Sequence, residues 1–490
     1  MMVPYLGWIG ELKNPQTVRA DLLAGITVAL VLIPQSMAYA QLASLPPYIG
    51  LYASFIPVIL AALMGSSRQL ATGPVAVVSL MAAAALQPLA ASSPDELLMY
   101  AAVMALLVGV FQLALGLFRL GVLVDFLSHP VVVGFTNGAA IIIATSQISK
   151  LFGVSAHKSE HHYETVWSVL VDASQNTHMS TLLMGLLALA IMILLKKFLP
   201  KVPGVLTAVV VTTVLGYVIG FESMGGKVVG DIPKGLPSLS TPSFNFEVVL
   251  QLASTAMTIA LIGFMEAIAI AKAMATQTRQ RLDTNQELVG QGLANIASGL
   301  FQGYPVSGSF SRSAVNINAG AKTGMSSVFT ALFVLLTLLF LTPLLYHLPQ
   351  AVLAAIIIMA VIGLVNFQAV KHAWHANRHD GIAAVVTFIA TLAFAPHLDN
   401  GIMVGAGLAL VLFLMRTMKP RVAQLGRYKD GTLRDISVNP GLPTSEHVVA
   451  MRFDGQLYFA NVSFFEDTVL TALADHPKAT YFLVVGDGIN

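Results

Sequence analysis

The chain has 490 residues, of which 56% are hydrophobic and 10% are charged, and its formal net charge is +2. Soluble domains carry about 25% charged residues, so this composition excludes an ordinary soluble protein of this length. The small net charge and scattered Lys and Arg exclude a typical nucleic-acid-binding domain. Because the sequence contains no cysteine, it excludes disulfides and thiolate metal sites.

Apolar runs of about 20 residues, the length that crosses a hydrocarbon core of about 30 Å, recur as far as residue 417. The first 19 residues lack the pattern of a cleaved signal peptide. We therefore predict an all-α polytopic membrane protein. About fourteen crossings or half-crossings are expected, at residues 22–40, 46–64, 74–88, 97–118, 129–149, 180–198, 204–221, 247–270, 285–303, 309–317, 325–345, 350–368, 381–396 and 401–417.

The charges of the connecting loops predict the orientation of these segments, because Lys and Arg concentrate in cytoplasmic loops. With the N-terminus inside, the external loops hold only Lys150, Lys158, Lys227 and Lys234. An even number of crossings then places both termini in the cytoplasm, in the inner (plasma) membrane. The cytoplasmic loops hold Arg68, Arg119, Lys196, Lys197, Lys201, Arg279, Arg281, Lys371 and Arg378.

After Pro420 the pattern changes to that of a soluble α/β domain. Residues 421–444 are predicted as a linker and residues 445–490 as the start of this domain. Strands are expected at 447–453, 456–460 and 481–485, with an amphipathic helix from Ser463 to Ala474. A doubly wound unit needs further strands and helices, so we expect a truncated domain.

Two membrane segments are interrupted by helix-breaking or polar residues. The stretch ATGPVAVVSLM (71–81) contains a Gly-Pro pair, and PVSGSFSRSAVN (305–316) contains Gly308, four serines and Arg312. In lipid, such breaks persist only beside protein or water. Two helices that begin near one point would direct their N–H groups and positive dipole ends at an anion. The alternative is that Gly and Pro are simply common in membrane helices.

The spacing of the two breaks, about 235 residues, favours seven plus seven segments related as inverted repeats. Arg312 is the only strong cation candidate near them, and a charge inside a membrane is costly and usually functional. It would bind the anion or offset a carboxylate. The alternative is that its side chain extends to the cytoplasmic interface.

Glu266 lies in the otherwise apolar run LIGFMEAIAIAKAMA, where an ionised carboxylate is costly unless it is paired or hydrated. Such a group can take up a proton on one side of the membrane and release it on the other. Alternatively, Glu266 forms a static pair with Arg312. Sodium needs several oxygen ligands, and Ile270, one turn later, supplies none, so a proton is the favoured coupling ion.

Gln35 and Tyr39 are four residues apart and share one helical face, so both can line a cavity. Their amide and hydroxyl groups can donate hydrogen bonds to an oxyanion. The alternatives are a packing role for Tyr39 and a backbone-bonding role for Gln35 beside Pro34.

Two other features argue against a metal or ATP. The histidines and acids of one predicted external loop, His157, His161, His162, Glu160 and Glu164, favour a solvated surface over a metal site. The sequence has no GxxxxGK[ST] motif, so nothing indicates ATP-driven transport. We expect neither a metal nor a cofactor.

Three motifs resemble the signatures of the sulfate permease family, SulP, which is related to animal solute carrier family 26. They are PQSMAYAQLASLPPYIGLYASF (34–55), GSSRQLATGPVAVVSLM (65–81) and SGSFSRSAV (307–315), and the tail resembles the start of a STAS domain. The resemblance implies a homodimer with a uracil-permease-like fold of seven plus seven inverted repeats. Within residues 1–420, segments 1–4 and 8–11 would form a core domain and segments 5–7 and 12–14 a gate domain.

In that family the anion lies between the half-helices of segments three and ten, near segments one and eight. Some vertebrate members have Phe in place of Tyr39 and Val75, so their aromatic clamp is not implied here. Sodium-coupled bicarbonate members have an acid near Glu266 and a hydroxyl one turn later, where this chain has Ile270. Matched by motif, the implied binding residues are Gln35, Tyr39, Val75, Ser309, Ser311 and Arg312, with Glu266 for proton coupling.

We therefore expect secondary transport of a small anion, such as bicarbonate, sulfate or a dicarboxylate, by proton symport and alternating access. No covalent chemistry, and hence no enzyme activity, is needed. The alternative is an uncoupled anion channel or exchanger in which Glu266 is structural and Arg312 alone sets selectivity. A sensor or scaffold is disfavoured because most of the chain is devoted to membrane segments.

Overall fold

The computed structural model describes residues 4–87, 89, 93–122, 128–155, 159, 161–200, 202–233, 235–240 and 246–486. The chain divides into two compact units, Met1–Ala406 and Gly407–Asn490. The first unit is almost entirely helical, and the second contains a four-stranded sheet. Lys158, Lys201, Lys234, His157 and Glu160, which entered the predictions of orientation and metal binding, lie outside the described residues.

The described α-helices and strands up to residue 418 cover the predicted segments and add helices between them. They are α1 (Pro15–Leu42), α2 (Pro47–Tyr52), α3 (Ile56–Met64), β1 (Ala71–Gly73), α4 (Ala76–Leu86), α5 (Pro94–Leu117), α6 (His129–Ser146), α7 (Ile148–Phe152), α8 (His162–Asn176), α9 (Met179–Phe198), α10 (Gly204–Ile219), α11 (Phe246–Thr278), α12 (Thr284–Leu300), β2 (Ser307–Ser309), α13 (Phe310–Asn318), α14 (Met325–Leu336), α15 (Thr342–Leu345), α16 (Gln350–Ile362), α17 (Phe367–Ala376), α18 (Arg378–Phe394) and α19 (Leu398–Met418). Every one of the fourteen predicted segments contains helix.

Nine helical stretches of the described chain are long and apolar enough to cross a membrane, judged by length and composition alone. α4 and α10 are apolar but shorter, at 11 and 16 residues. α12, α13 and α18 belong to neither group. Helix formation in all fourteen segments is therefore observed, and a count of fourteen crossings stays a prediction.

Glycines allow several of these helices to approach closely, as is common in membrane proteins. On α6, Gly134 and Gly138 form a GxxxG motif that faces α18. A Cβ atom at Gly134 would lie 2.2 Å from the Ala384 carbonyl oxygen, and one at Gly138 would lie 2.9 Å from the Thr391 Cβ. α5 and α12 meet in the same way, since a Cβ at Gly109 would lie 2.5 Å from the Ile296 nitrogen.

α8 lies in the loop that was predicted as external, and the sequence pattern did not identify it. Its residues alternate between exposed and partly buried, with Trp167 and Tyr163 exposed and Val169 buried. The helix is amphipathic. Its mean hydropathy is therefore too low for it to be recognised as a membrane segment from its sequence.

The second unit contains a mixed sheet. Strands β3 (Arg421–Arg427), β4 (Leu433–Asp435), β5 (Val448–Asp454) and β6 (Tyr481–Val485) take the order β4-β3-β5-β6, and α20 (Val462–Asp475) joins the last two. β3 is antiparallel to β4 and β5, whereas β5 and β6 are parallel. The predicted strands at 447–453 and 481–485 and the predicted helix are therefore present.

Two predictions for this unit are wrong. Residues 421–444 contain β3, which pairs with β5, and β4, which pairs with β3, so they are part of the sheet and not a linker. Residues 456–460 form a turn and not a strand. Asn461 causes this turn, because its side chain accepts from the Tyr458 N–H at 2.9 Å and donates to the Gln456 carbonyl at 2.8 Å. Those backbone groups are then unavailable for a strand ladder.

We predict that Gly134→Ala destabilises the protein, because its new methyl group would overlap the backbone of α18. Overpacking of this kind costs about 1–3 kcal/mol. Gly407→Ala in α19 is the matched control, since no heavy atom lies within 4 Å of a Cβ at that position. Thermal unfolding in detergent should show a lower melting temperature for Gly134→Ala only. Equal melting temperatures for the two variants would contradict the close α6–α18 contact.

Candidate functional site

The two interrupted segments pair with each other. β1 and β2 form an antiparallel ladder in which Ala71 lies opposite Ser309, Thr72 opposite Gly308 and Gly73 opposite Ser307. All six residues are buried. The ladder supplies partners for backbone groups that the ends of the helices leave free, which is the condition for non-helical chain inside a membrane protein.

Each strand leads directly into a short helix. α4 begins at Ala76 after Val75, and α13 begins at Phe310 after Ser309. Neither Val75 nor Ser309 makes a side-chain capping hydrogen bond to its helix. The N–H groups of a first helical turn have no partner within the helix, and they carry the positive end of its dipole. The ladder thus joins two uncapped helix N-termini in the interior of the bundle.

A cavity of about 760 Å³ lies at these helix starts. It brings together five residues that the sequence selected, which are Tyr39, Val75, Glu266, Ser309 and Ser311. The Ser309 and Ser311 hydroxyl oxygens are 3.3 Å apart. Tyr39, Val75 and Ser309 are buried, whereas Ser311 is exposed to the cavity. Hydroxyl groups and helix N-termini therefore face one space.

Arg312 and Gln35 do not line this cavity. They are fully or nearly fully buried, and Arg312 Nη1 donates to Gln35 Oε1 at 3.0 Å. Arg312 Nε and Nη2 have no hydrogen-bond partner among the described residues. The guanidinium lies against β1, since a Cβ at Gly73 would be 3.3 Å from Nη2. Gly73 also has a φ of 149°, a conformation that favours glycine.

Two alternatives for Arg312 are thereby excluded. Its side chain has no exposed surface, so it does not extend to an interface. The ion pairs that join described residues do not include a pair between Arg312 and Glu266. Arg312 is instead bonded to Gln35 of α1 and lies against β1, and Glu266 lines the cavity from α11.

α11 packs directly on β2 and so places Glu266. Ser307 Oγ donates to the Gly263 carbonyl at 2.6 Å. A Cβ at Gly308 would lie 3.1 Å from Ala267, so the strand and the helix touch through small residues. Gly263 and Ala267 are four positions apart and form one face of α11. Glu266, which precedes Ala267, is thus held beside β2.

A polar network between α5 and α12 supports the chain that enters β2. Asn295 accepts from the Val306 N–H at 2.8 Å and donates to the Val306 carbonyl at 3.0 Å and to Gln112 Oε1 at 2.9 Å. Gln291 donates to the Thr72 hydroxyl on β1 at 2.9 Å. Buried polar groups require such partners, and this network supplies them to both strands.

Sequence reasoning missed several residues of the site. His129 and Thr136 on α6 and Lys272 on α11 also line the cavity. Gln112, Gln291 and Asn295 do not line it but hold the strands. The available signal was the presence of polar side chains in segments otherwise rich in Ala, Gly and Leu, which is unusual within membrane helices. Among the described residues, no group of His, Asp and Glu is arranged to hold a metal ion.

These features define a multi-pass integral membrane protein with a partly polar cavity at two interrupted segments. The model of the sulfate permease family matches residues 18–387. Sulfate transporter 4.1, chloroplastic, from Arabidopsis thaliana is 40% identical over 95% of this chain and 68% of its own length. Probable sulfate transporter 4.2 from the same plant is 38% identical over 95% and 69%. The chain belongs to the sulfate permease family, which confirms the resemblance seen in its motifs.

Solved structures share the fold. Murine Slc26a9, an anion transporter in the inward-facing state, gives a TM-score of 0.89 at 23% identity, covering 100% of this chain and 84% of its own. The transmembrane domain of BicA, a cyanobacterial bicarbonate transporter, gives 0.70 at 26% identity, covering 81% of this chain and 98% of its own. The predicted class, a mostly helical membrane protein, is confirmed.

We predict that Asn295→Leu lowers thermal stability, because it leaves the N–H and carbonyl groups of Val306 buried without their partner. Each unsatisfied group costs about 1–3 kcal/mol. The control is Asn176→Leu, which removes an exposed asparagine that bonds only to Asp172 in the described chain. A fluorescence melting assay in detergent should separate the two variants. If Asn295→Leu melted with the control, the network would not be needed to hold β2.

Proposed function

We propose that this protein moves a small oxyanion across the membrane by secondary transport. The observation that carries the proposal is the cavity at the starts of α4 and α13, where uncapped helix N-termini and two serine hydroxyls face one space. Anions bind at helix N-termini because the N–H groups and the dipole both favour negative charge. Transport needs no covalent step, in keeping with a family of transporters rather than enzymes.

Sulfate is the first candidate substrate. The relatives with 40% and 38% identity are named as sulfate transporters, and BicA, at 26%, as a bicarbonate transporter. Sulfate offers four oxygens, which can accept from N–H groups at two helix ends and from several hydroxyls at once. Bicarbonate has only three oxygens, and a dicarboxylate divides its four oxygens between two separate carboxylates.

Each binding residue has a distinct proposed role. Ser309 and Ser311 donate hydroxyl hydrogen bonds to the anion, and Tyr39 orients it from α1. Val75 contributes the turn that begins α4, and its apolar side chain limits the space for water. Hydrogen bonds to a charged group contribute about 1.5–3 kcal/mol each, so a few such donors support binding at micromolar concentrations.

Arg312 supplies charge from behind the strands. Its guanidinium lies beside Gly73 of β1, and in a low-dielectric interior the field of a charge acts over several ångströms. Gln35 fixes the guanidinium by accepting from Nη1. Nη2 has no hydrogen-bond partner among the described residues. It is therefore available to the anion after a rotation of the Arg312 side chain.

Glu266 is proposed to carry the coupled proton. It lines the anion cavity and forms no ion pair with the described residues. A proton on this carboxyl group would remove repulsion between two negative charges in one cavity, so anion and proton bind together. Ile270, which also lines the cavity, supplies no oxygen for sodium.

The remaining architecture is proposed from family resemblance. Segments 1–4 and 8–11 act as a core that moves against a gate of segments 5–7 and 12–14, giving alternating access in a homodimer. We place both termini in the cytoplasm and the protein in the plasma membrane. Residues 445–490, with β3 and β4 added to their sheet, are assigned to the N-terminal part of a STAS domain.

Uptake of labelled sulfate into liposomes that contain the purified protein tests the proposal. We predict saturable uptake that Arg312→Met, which keeps an unbranched apolar stem, lowers at least tenfold, since a lost charged partner costs about 1.5–3 kcal/mol. Arg279→Met is the control, at a position outside the cavity. Bicarbonate and a dicarboxylate are compared as competitors. The absence of uptake for every anion in the panel would overturn the function.

Proton coupling has its own test. An inward pH gradient, acidic outside, should drive accumulation of sulfate by the unmodified protein and not by Glu266→Gln, which cannot exchange a proton. Glu247→Gln, on the same helix but outside the cavity, should accumulate sulfate normally. If sulfate entered at the same rate without a pH gradient and in Glu266→Gln, the protein would be an uncoupled channel or exchanger.

A further inference from the structure

A second cavity of about 240 Å³ lies along the helices that line the first. On α4, Val75, Ala76 and Val77 line the first cavity, and Leu80, Ala83 and Ala84 line the second. The same order holds on two other helices. On α6, His129, Val132 and Thr136 are followed by Ile142, Thr145 and Ser146, and on α1, Tyr39 is followed by Gln41 and Leu42.

Only a short barrier separates the two cavities. A helix rises 1.5 Å per residue, so Thr136 and Ile142 are about 9 Å apart along α6, and Val77 and Leu80 about 4.5 Å apart along α4. Buried side chains fill this interval, including Val78 and Ala139, both with no exposed surface. The cavities are therefore successive spaces along these helices, and between about half a turn and two turns of helix separate them.

Polar side chains make up about half of the lining of the second cavity, unlike a gap that would hold lipid. Its lining includes Gln41, Thr145, Ser146, Gln147 and Lys150. The side-chain oxygens of Gln41 and Gln147 are buried without a hydrogen-bond partner in the described part of the chain. Buried polar atoms of this kind indicate a space that admits water or a polar solute.

A hydrogen bond joins α7 to the end of α1 in the lining of this cavity. Lys150 on α7 donates from Nζ to the Gln41 carbonyl oxygen, at 3.2 Å. Gln41 belongs to the last turn of α1, where its carbonyl also accepts from the Ser44 N–H at 3.2 Å and carries the negative end of the helix dipole. α1 carries Tyr39 of the anion cavity, and α7 follows α6. The bond therefore joins α1, which contributes to the anion cavity, to α7, which follows α6.

We propose that the second cavity is the closed, far half of the translocation path, and that Lys150 is the latch that keeps it closed by holding the end of α1. This inference rests on the proposed transport function. When α1 moves relative to α6 and α7, the bond breaks and the second cavity widens. The first cavity then becomes less accessible.

A reciprocal change in accessibility follows. Removal of a charge-assisted hydrogen bond shifts a two-state equilibrium by about tenfold or more. A shift toward the form with an open second cavity must reduce the form with an open first cavity. Lys150→Met keeps the apolar stem but lacks the ammonium, so we expect the second cavity to become more accessible and the first less accessible.

Cysteine labelling measures both changes, because the chain has no native cysteine. Ser146→Cys reports the second cavity and Ser311→Cys the first. Ser54→Cys is the buried control and lines neither. In detergent, a charged methanethiosulfonate should label Cys at position 146 about tenfold faster when Lys150→Met is added, label position 311 more slowly, and leave position 54 unchanged. Lys227→Met, an exposed lysine outside both cavities, should alter none of these rates.

Sulfate uptake by the chain without introduced cysteines, with and without Lys150→Met, separates this inference from the proposed function. If the protein took up sulfate but the labelling rate at position 146 did not respond to Lys150→Met, the proposed latch would be overturned and the transport function would stand. Reciprocal labelling without uptake of any anion would support the latch and overturn the function. Faster labelling at all three positions would indicate general loosening and also overturn the latch. If Lys150→Met were not monodisperse, Lys150→Gln would replace it.

Discussion

The pairing of Ala71–Gly73 with Ser307–Ser309 is the interaction on which the rest of the site depends. A chain inside a membrane protein must satisfy its backbone groups internally. The two breaks do this for each other and thereby allow two helices to start within the bundle. The ladder also fixes the neighbours of these helices, since α11 packs on β2 through small residues and Asn295 of α12 bonds to Val306.

The sequence allowed the breaks to be found but not their pairing. Gly-Pro and a run of serines are local signals, whereas the register between residues 71 and 309 depends on packing of the whole bundle. The same limit applies to Arg312. A charged residue in a polar break looks like a direct ligand, but its distance from the cavity is set by Gly73 and Gln35, which lie far away in sequence.

The errors in the tail have local causes. β4 is only three residues long and β3 contains Arg, Gln and Gly, so neither shows the apolar alternation that indicates a strand. The stretch QLYFA does show it, but Asn461 takes its backbone groups into a turn. Strong apolar periodicity therefore predicted β5, β6 and α20, while β3 and β4 became visible only through their pairing, β3 with β5 and β4 with β3.

The strand ladder has a consequence for how the protein is made. Its two halves are separated by about 235 residues, and ribosomes add about 5–20 residues per second, so roughly ten to fifty seconds pass between synthesis of β1 and synthesis of β2. During that interval the backbone of the first break has no strand partner. It must be held by water or by the insertion machinery, so this segment enters its final position only after most of the helical unit has been synthesised.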